Sequence, residues 1–278
     1  MNRNDMLIEA DELLKKIGDK NLRIFDATVT DDVYLQGHIP GAAYFDHQAF
    51  SDSTSPYMCT ISSEADLARQ IGNAGISNDS EVILYACGML PYALRAWWVL
   101  RYAGHENVRV LNGGLSAWKK AGGDIEQVAR QYEPCVFEGR FIPGMFANKE
   151  EVLASIENKE VAIVDVLPIE SYEASHIVGS VCVPCMDLMD GLEYLLPDDK
   201  LAFRLQDVSQ RKRIITYCGG GIAAAVNAMA HLLTGHENVA IYDGSLYEWL
   251  AEKMPVVGTG KWEVWIQPQQ PADSSVGQ

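Results

Sequence analysis

The pentapeptide GHENV at 104–108 recurs unchanged at 235–239. Internal repetition is the first feature to look for in a chain of unknown fold, because it sets the architecture before any single element is assigned. Moving towards the N-terminus from each copy, VILYACG (82–88) matches IITYCGG (214–220), GHIPGA (37–42) matches SHIVGS (175–180), and IFD (24–26) matches IVD (163–165). In the other direction VLNGGLSAW (110–118) follows the first copy and IYDGSLYEW (241–249) follows the second. One order of features, kept twice, marks a duplicated unit.

The matched positions lie between 131 residues (Gly104 to Gly235) and 139 residues (Ile24 to Ile163) apart. That is far too long for a solenoid repeat and suits two tandem domains of ordinary size. The expected division is a first domain over 1–126, a connection over 127–147, a second domain over 148–268 and a polar tail over 269–278. The connection is placed where EQVARQYEPCVFEGRFIPG (126–144) lacks helical periodicity and carries Pro134, Gly139, Pro143 and Gly144. Within each half, short apolar runs such as LRIF (22–25), EVILYA (81–86) and VRVL (108–111) alternate with helix-like segments such as 93–102 and 115–121. Strands alternating with helices imply an α/β fold, each domain a mainly parallel sheet flanked by helices. In such folds the chemistry gathers where strands hand over to helices.

A formal charge of -16 argues against a nucleic-acid or anionic-membrane partner, since both require a basic face. The Arg211, Lys212, Arg213 triplet precedes an apolar run and reads as a solvated loop. No stretch approaches the roughly 18 apolar residues of a spanning helix, and the first fourteen residues, with Asp5, Glu9, Asp11 and Glu12, do not resemble a secretory leader. The expectation is a soluble, cytoplasmic protein. Its six cysteines are then reduced thiols rather than a disulfide framework.

One of those thiols stands apart. The strand-like run ending at Tyr217 passes into CGGGIAA (218–224), and a helix-compatible AVNAMAHLL (225–233) follows. A cysteine therefore opens a glycine-rich turn at a helix N-terminus. Glycines let the loop curl so that backbone N–H groups converge on one point, and the helix dipole adds partial positive charge there. Such a cradle stabilises an anion on the sulfur and makes Cys218 a competent nucleophile.

These features resemble the rhodanese family, in which a single cysteine opens a six-residue loop between a central strand and a helix; CGGGIA (218–223) has that length. FSDSTSPY (50–57), RAWW (95–98), VLNGGLSAW and YDGSLYEW (242–249) are similar to the family as well, so the likeness covers most of both halves. Tandem members, similar to thiosulfate and 3-mercaptopyruvate sulfurtransferases, keep the working cysteine in the second domain. With Tyr85 aligned to Tyr217, Ala86 stands opposite Cys218 and Cys87 falls one residue late. The resemblance implies double displacement: Cys218 takes sulfur from a donor as a persulfide, backbone N–H groups of Gly219, Gly220, Gly221, Ile222, Ala223 and Ala224 hold it, and a thiol, cyanide or reduced carrier receives it. It implies no metal and no organic cofactor; it leaves the oligomeric state open.

Three positions depart from the family. Leu167 stands where an arginine usually follows the second-domain strand, Gly219 and Gly220 supply neither lysine nor hydroxyl inside the loop, and Met58 and Cys59 replace the histidine that often follows SPY. Cys59 is expected near the domain interface facing Cys218, where a second thiol could act on the persulfide. A cysteine-dependent phosphatase would need an arginine closing a longer loop, where this chain has Ala223, Ala224 and Ala225. A non-catalytic docking module or a protein-fed persulfide carrier is the alternative reading, weakened by a cysteine held in a glycine cradle. Cys182 and Cys185 form a single C-x-x-C pair, better read as strand packing than as zinc ligands. His38 and His176 recur at equivalent positions and suit a turn-holding hydrogen bond, and Trp97, Trp98, Trp118 and Trp249 suit the core.

Overall fold

A computed structural model describes residues 2–264; the tail expected over 269–278 lies outside the described residues. The first half carries five strands, β1 (Leu7–Ile8), β2 (Leu22–Asp26), β3 (Ala43–Tyr44), β4 (Glu81–Tyr85) and β5 (Val108–Leu111). They form one sheet in the order β1-β5-β4-β2-β3, with every pair parallel. The second half carries β6 (Phe146–Ala147), β7 (Val161–Asp165), β8 (Ser175–Ile177), β9 (Val181–Cys182), β10 (Met189–Asp190), β11 (Tyr194–Leu195), β12 (Arg213–Tyr217), β13 (Val239–Tyr242) and β14 (Val256–Gly258). Five of these repeat the arrangement as β6-β13-β12-β7-β9, again all parallel. Register repeats too: Tyr85 pairs with Asp26 and Tyr217 with Asp165. The central strands β4 and β12 are buried after their first residue, so they read as continuous apolar runs rather than alternating ones, as expected of parallel strands covered on both faces.

The recurring histidines brace equivalent corners. His38 Nδ1 lies 3.0 Å from the Tyr34 carbonyl and His176 Nδ1 lies 2.6 Å from that of Tyr172, each imidazole stacking on the same tyrosine. Those tyrosines donate to the carbonyls of Ala42 and Ser180, closing the turn before the edge strand.

After β4 runs the helix Leu90–Tyr102, and after β12 the helix Ala224–Leu233. Both are apolar nearly all round, which a helix tolerates only when every side has a partner. They pack on each other, and one continuous core takes in residues of both domains, including Trp97, Trp98, Val226 and Met229. This helix pair sets the two strand-to-helix loops at one interface.

The connection does not dangle. Glu126 and His38 exchange main-chain hydrogen bonds, Cys135 N–H donates to Gly72, and Arg140 and Ile142 donate to Ala103 and Tyr102, so the segment straps across the first domain. Its last two residues, Phe146 and Ala147, form β6 and pair with β13. The second sheet thus begins two residues before the expected 148, because a two-residue edge strand is too short to display a period-two pattern.

Candidate active site

Cys218 follows the last residue of β12, and its main chain is fixed on both sides. Its N–H donates to Ser245 Oγ at 3.2 Å and its carbonyl accepts from Leu246 N–H at 3.1 Å. The loop then turns back so that Gly221 N–H donates to Cys218 Sγ at 3.1 Å. That turn needs glycine at 221: its φ is +83°, and a Cβ there would stand 2.8 Å from the Asp243 carbonyl. Gly219, Gly220, Ile222 and Ala223 complete the loop, and Ala224 opens the ten-residue helix, so the sulfur lies at a helix N-terminus with an N–H aimed at it. Cys218 is only 3 % exposed. The indole of Trp262 presses against Gly219, and the ring of Tyr247 lies 3.3 Å from where a side chain at Gly220 would begin.

The first domain reaches into this loop through Arg95. Its Nη2 donates to Asp243 Oδ1 at 2.6 Å and to the Cys59 carbonyl at 2.7 Å, while Nη1 lies 3.5 Å from the Gly221 carbonyl. Asp243 Oδ2 accepts from Ile61 N–H at 2.5 Å. One buried cation thereby ties the 59–61 segment, the cysteine loop and the end of β13 together. Arg95, Asp243 and Ser245 sit inside the motifs RAWW and YDGSLYEW, but their spacing within each motif gives no sign that the two motifs meet.

A model of the Rhodanese-like domain matches residues 9–121 and again 148–252. The chain belongs to the rhodanese-like family. Among relatives, a thiosulfate sulfurtransferase from Bos taurus is 34% identical over 249 residues, 84% of this chain and 82% of that protein. A 3-mercaptopyruvate sulfurtransferase from Escherichia coli is 33% identical over 263 residues, 87% of this chain and 94% of that protein. The crystal structure of SseA from Escherichia coli, described as a 3-mercaptopyruvate sulfotransferase with the rhodanese fold, superposes with a TM-score of 0.80 at 31% identity, covering 88% of this chain and 99% of that one.

Within this rhodanese-like chain the positions that depart from the family's pattern are uncharged. Leu167 is buried and its N–H donates to Asp165 Oδ1 at 2.9 Å, supporting a carboxyl that burial raises to about 6. Cys59 is half-buried at φ +61°, in the left-handed region that a non-glycine residue seldom occupies. Burial pushes its thiol up, Arg95 opposes that, and the charges of Asp243 and Cys218 add to it. Burial, then the charges of Cys59 and Cys218, push the Tyr92 hydroxyl up. A third thiol near Cys218 was not foreseen: Cys185 is buried, anchored by its N–H to the Val166 carbonyl at 2.8 Å and pushed up to about 12 by burial, then by Cys218. Its C-x-x-C companion Cys182 is likewise pushed up to about 12 by burial and points at the Leu167 carbonyl. Among the described residues no group of three or more His, Cys, Asp or Glu side chains could hold a metal.

The first-domain loop is filled from within. The hairpin of β10 and β11 crosses from the second half, and Glu193 Oε1 accepts from Gly88 N–H at 2.9 Å. Leu90 and Gly113 donate their N–H groups to the carbonyls of Leu192 and Glu193. A carboxylate thus lies against the first-domain loop at Gly88, the counterpart of Gly220. Cys87 is only partly exposed beside it, its thiol raised by burial, then by Asp26 and Glu193.

Proposed function

We propose that the protein is a sulfurtransferase in which Cys218 carries sulfane sulfur as a persulfide, from a donor of the thiosulfate or 3-mercaptopyruvate type to a thiophilic acceptor. The observation that carries this reading is the Gly221 N–H directed at Cys218 Sγ from the loop that leads into the helix Ala224–Leu233. Cys218 attacks as a thiolate. With thiosulfate, the new S–S bond forms to the outer sulfur and the old one breaks, sulfite leaving with its electron pair. With 3-mercaptopyruvate, the C–S bond breaks and the carbon takes up the pair and a proton, giving pyruvate. The acceptor, cyanide, a thiol or a reduced carrier, then attacks the outer sulfur and Cys218 returns as thiolate. In both half-reactions charge resides on sulfur beside Gly221 N–H, so a donor already in place stabilises it without reorganisation. Arg95, anchored by Asp243, holds the loop from the first domain, and Ser245 holds the main chain of Cys218.

The uncharged Leu167 and Gly220 support a second form of the same chemistry, in which another protein feeds sulfur to Cys218. Six free thiols suit the cytoplasm, and among the described residues no helix is long and apolar enough to cross a membrane. The test is steady-state sulfur transfer to cyanide with each donor. Thiocyanate formed from one donor at a rate at least tenfold above the other assigns the donor class, and none from either contradicts small-molecule transfer.

A further inference from the structure

Cys218 is buried at 3 % exposure and the two residues after it are packed by rings, Gly219 by Trp262 and Gly220 by Tyr247, so a large acceptor has little room to reach a persulfide there. The partly exposed Cys59 belongs to the first-domain segment that meets this loop through Arg95. Two contacts bring it there. The Arg95 guanidinium donates to the Cys59 carbonyl at 2.7 Å while its second nitrogen lies 3.5 Å from the Gly221 carbonyl, and Gly221 in turn contacts Cys218 Sγ. The carbonyl of Met58, one residue before, comes within 3.9 Å of the side-chain position at Gly220. Cys59 adopts φ +61°. That conformation is strained outside glycine and persists where the surroundings impose it, as the Arg95 bond to its carbonyl does. Burial first, and then charge on Cys218 among other groups, opposes ionisation of the Cys59 thiol.

We propose that Cys59 is a second sulfur-carrying residue, which takes the sulfane sulfur from Cys218 and presents it to thiol acceptors too large to enter the loop. This rests on the reading of Cys218 as the persulfide residue. Cys59 sulfur attacks the outer sulfur of the Cys218 persulfide; a new S–S bond forms on Cys59, and the bond to Cys218 breaks. The electron pair returns to Cys218 Sγ, where Gly221 N–H stabilises it, and the proton given up by Cys59 ends on Cys218. One persulfide and one thiol become one thiol and one persulfide, so no oxidant or reductant is consumed. A thiol such as glutathione then attacks the outer sulfur on Cys59 and leaves as its own persulfide.

The experiment loads the full chain with whichever donor is active, traps persulfides by alkylation and maps the added sulfur by peptide mass, in parallel with discharge rates to glutathione and to cyanide. In wild type, sulfur is expected on both Cys59 and Cys218. In Cys59→Ser, and in Cys59→Gly, which relieves the left-handed backbone, it is expected on Cys218 alone, and the ratio of glutathione to cyanide discharge falls roughly tenfold. Sulfur never found on Cys59, with that ratio unchanged in both variants, overturns the relay while leaving Cys218 in place. Sulfur on Cys59 in a Cys218→Ser chain, or on neither residue in wild type, contradicts the underlying reading instead.

Discussion

Arg95 and Asp243 form a buried ion pair at 2.6 Å between the two domains, with their side chains 3 % and 9 % exposed. Each comes from a different copy of the duplicated unit, and the pair borders Gly221, the residue that contacts the cysteine sulfur. Removing charge from one side leaves the other buried and unpaired. Arg95→Met is therefore expected to cost about 3–5 kcal/mol, read from urea unfolding. A cost under about 1 kcal/mol would mean that Asp243 finds water or another donor once Arg95 is gone.

Gly221 and Gly220 separate backbone need from simple space. Gly221→Ala meets the Asp243 carbonyl at 2.8 Å and keeps a left-handed φ, whereas the nearest neighbour of a side chain at Gly220 is the Tyr247 ring at 3.3 Å. Gly221→Ala is expected to lose about 1–3 kcal/mol of stability. It should also lower kcat/KM by about 10²–10³, the scale on which a preorganised N–H donor to a charged atom is valued. Gly220→Ala should lose far less of either. Equal losses in the two variants would show that the loop does not depend on the Gly221 N–H.

Glu193 supplies the anion in the first-domain loop. Glu193→Ala deprives Gly88 N–H of its partner, with an expected cost of about 1–2 kcal/mol, and removes one of the charges that hold the Cys87 thiol up. Iodoacetamide should label Cys87 faster in the variant at pH 7.5. An unchanged labelling rate would show that Glu193 does not limit the reactivity of Cys87.

Asp165 gives a pH test of the second sheet. Burial raises its carboxyl to about 6, so the folded chain holds this proton more tightly than the unfolded chain, whose ordinary value is 3.8. The folded state then binds more protons between those values, and stability falls as pH rises through the window. Relative to Asp165→Asn, wild type is expected to lose up to about 3 kcal/mol between pH 4 and pH 7 by chemical denaturation. A gap between the two proteins that stays flat over that range would contradict the raised value.

How much of this was legible in the sequence differs by element. The duplicated GHENV, the Tyr85 and Tyr217 alignment and the strand at 213–217 carried the fold, because long-range repetition and apolar runs survive in one dimension. Cys218 was legible because a glycine-rich turn between strand and helix is a local pattern. The Arg95 to Asp243 pair joins residues 148 positions apart, and Glu193 reaches Gly88 over 105. No local period encodes either contact. The two-residue β6 was missed for want of length, and Cys185 reaches the Cys218 neighbourhood through a short 3₁₀ turn that spacing alone reads as packing.

Peptide mapping of added sulfur tests the central claim most directly, on wild type and Cys218→Ser incubated separately with thiosulfate and with 3-mercaptopyruvate and then with cyanide. The account predicts one sulfur mass on the peptide containing Cys218 of wild type, removed by cyanide, and no sulfur on any peptide of the variant. Sulfur gained equally by both proteins, or cyanide-labile sulfur confined to a peptide lacking residue 218, would contradict it.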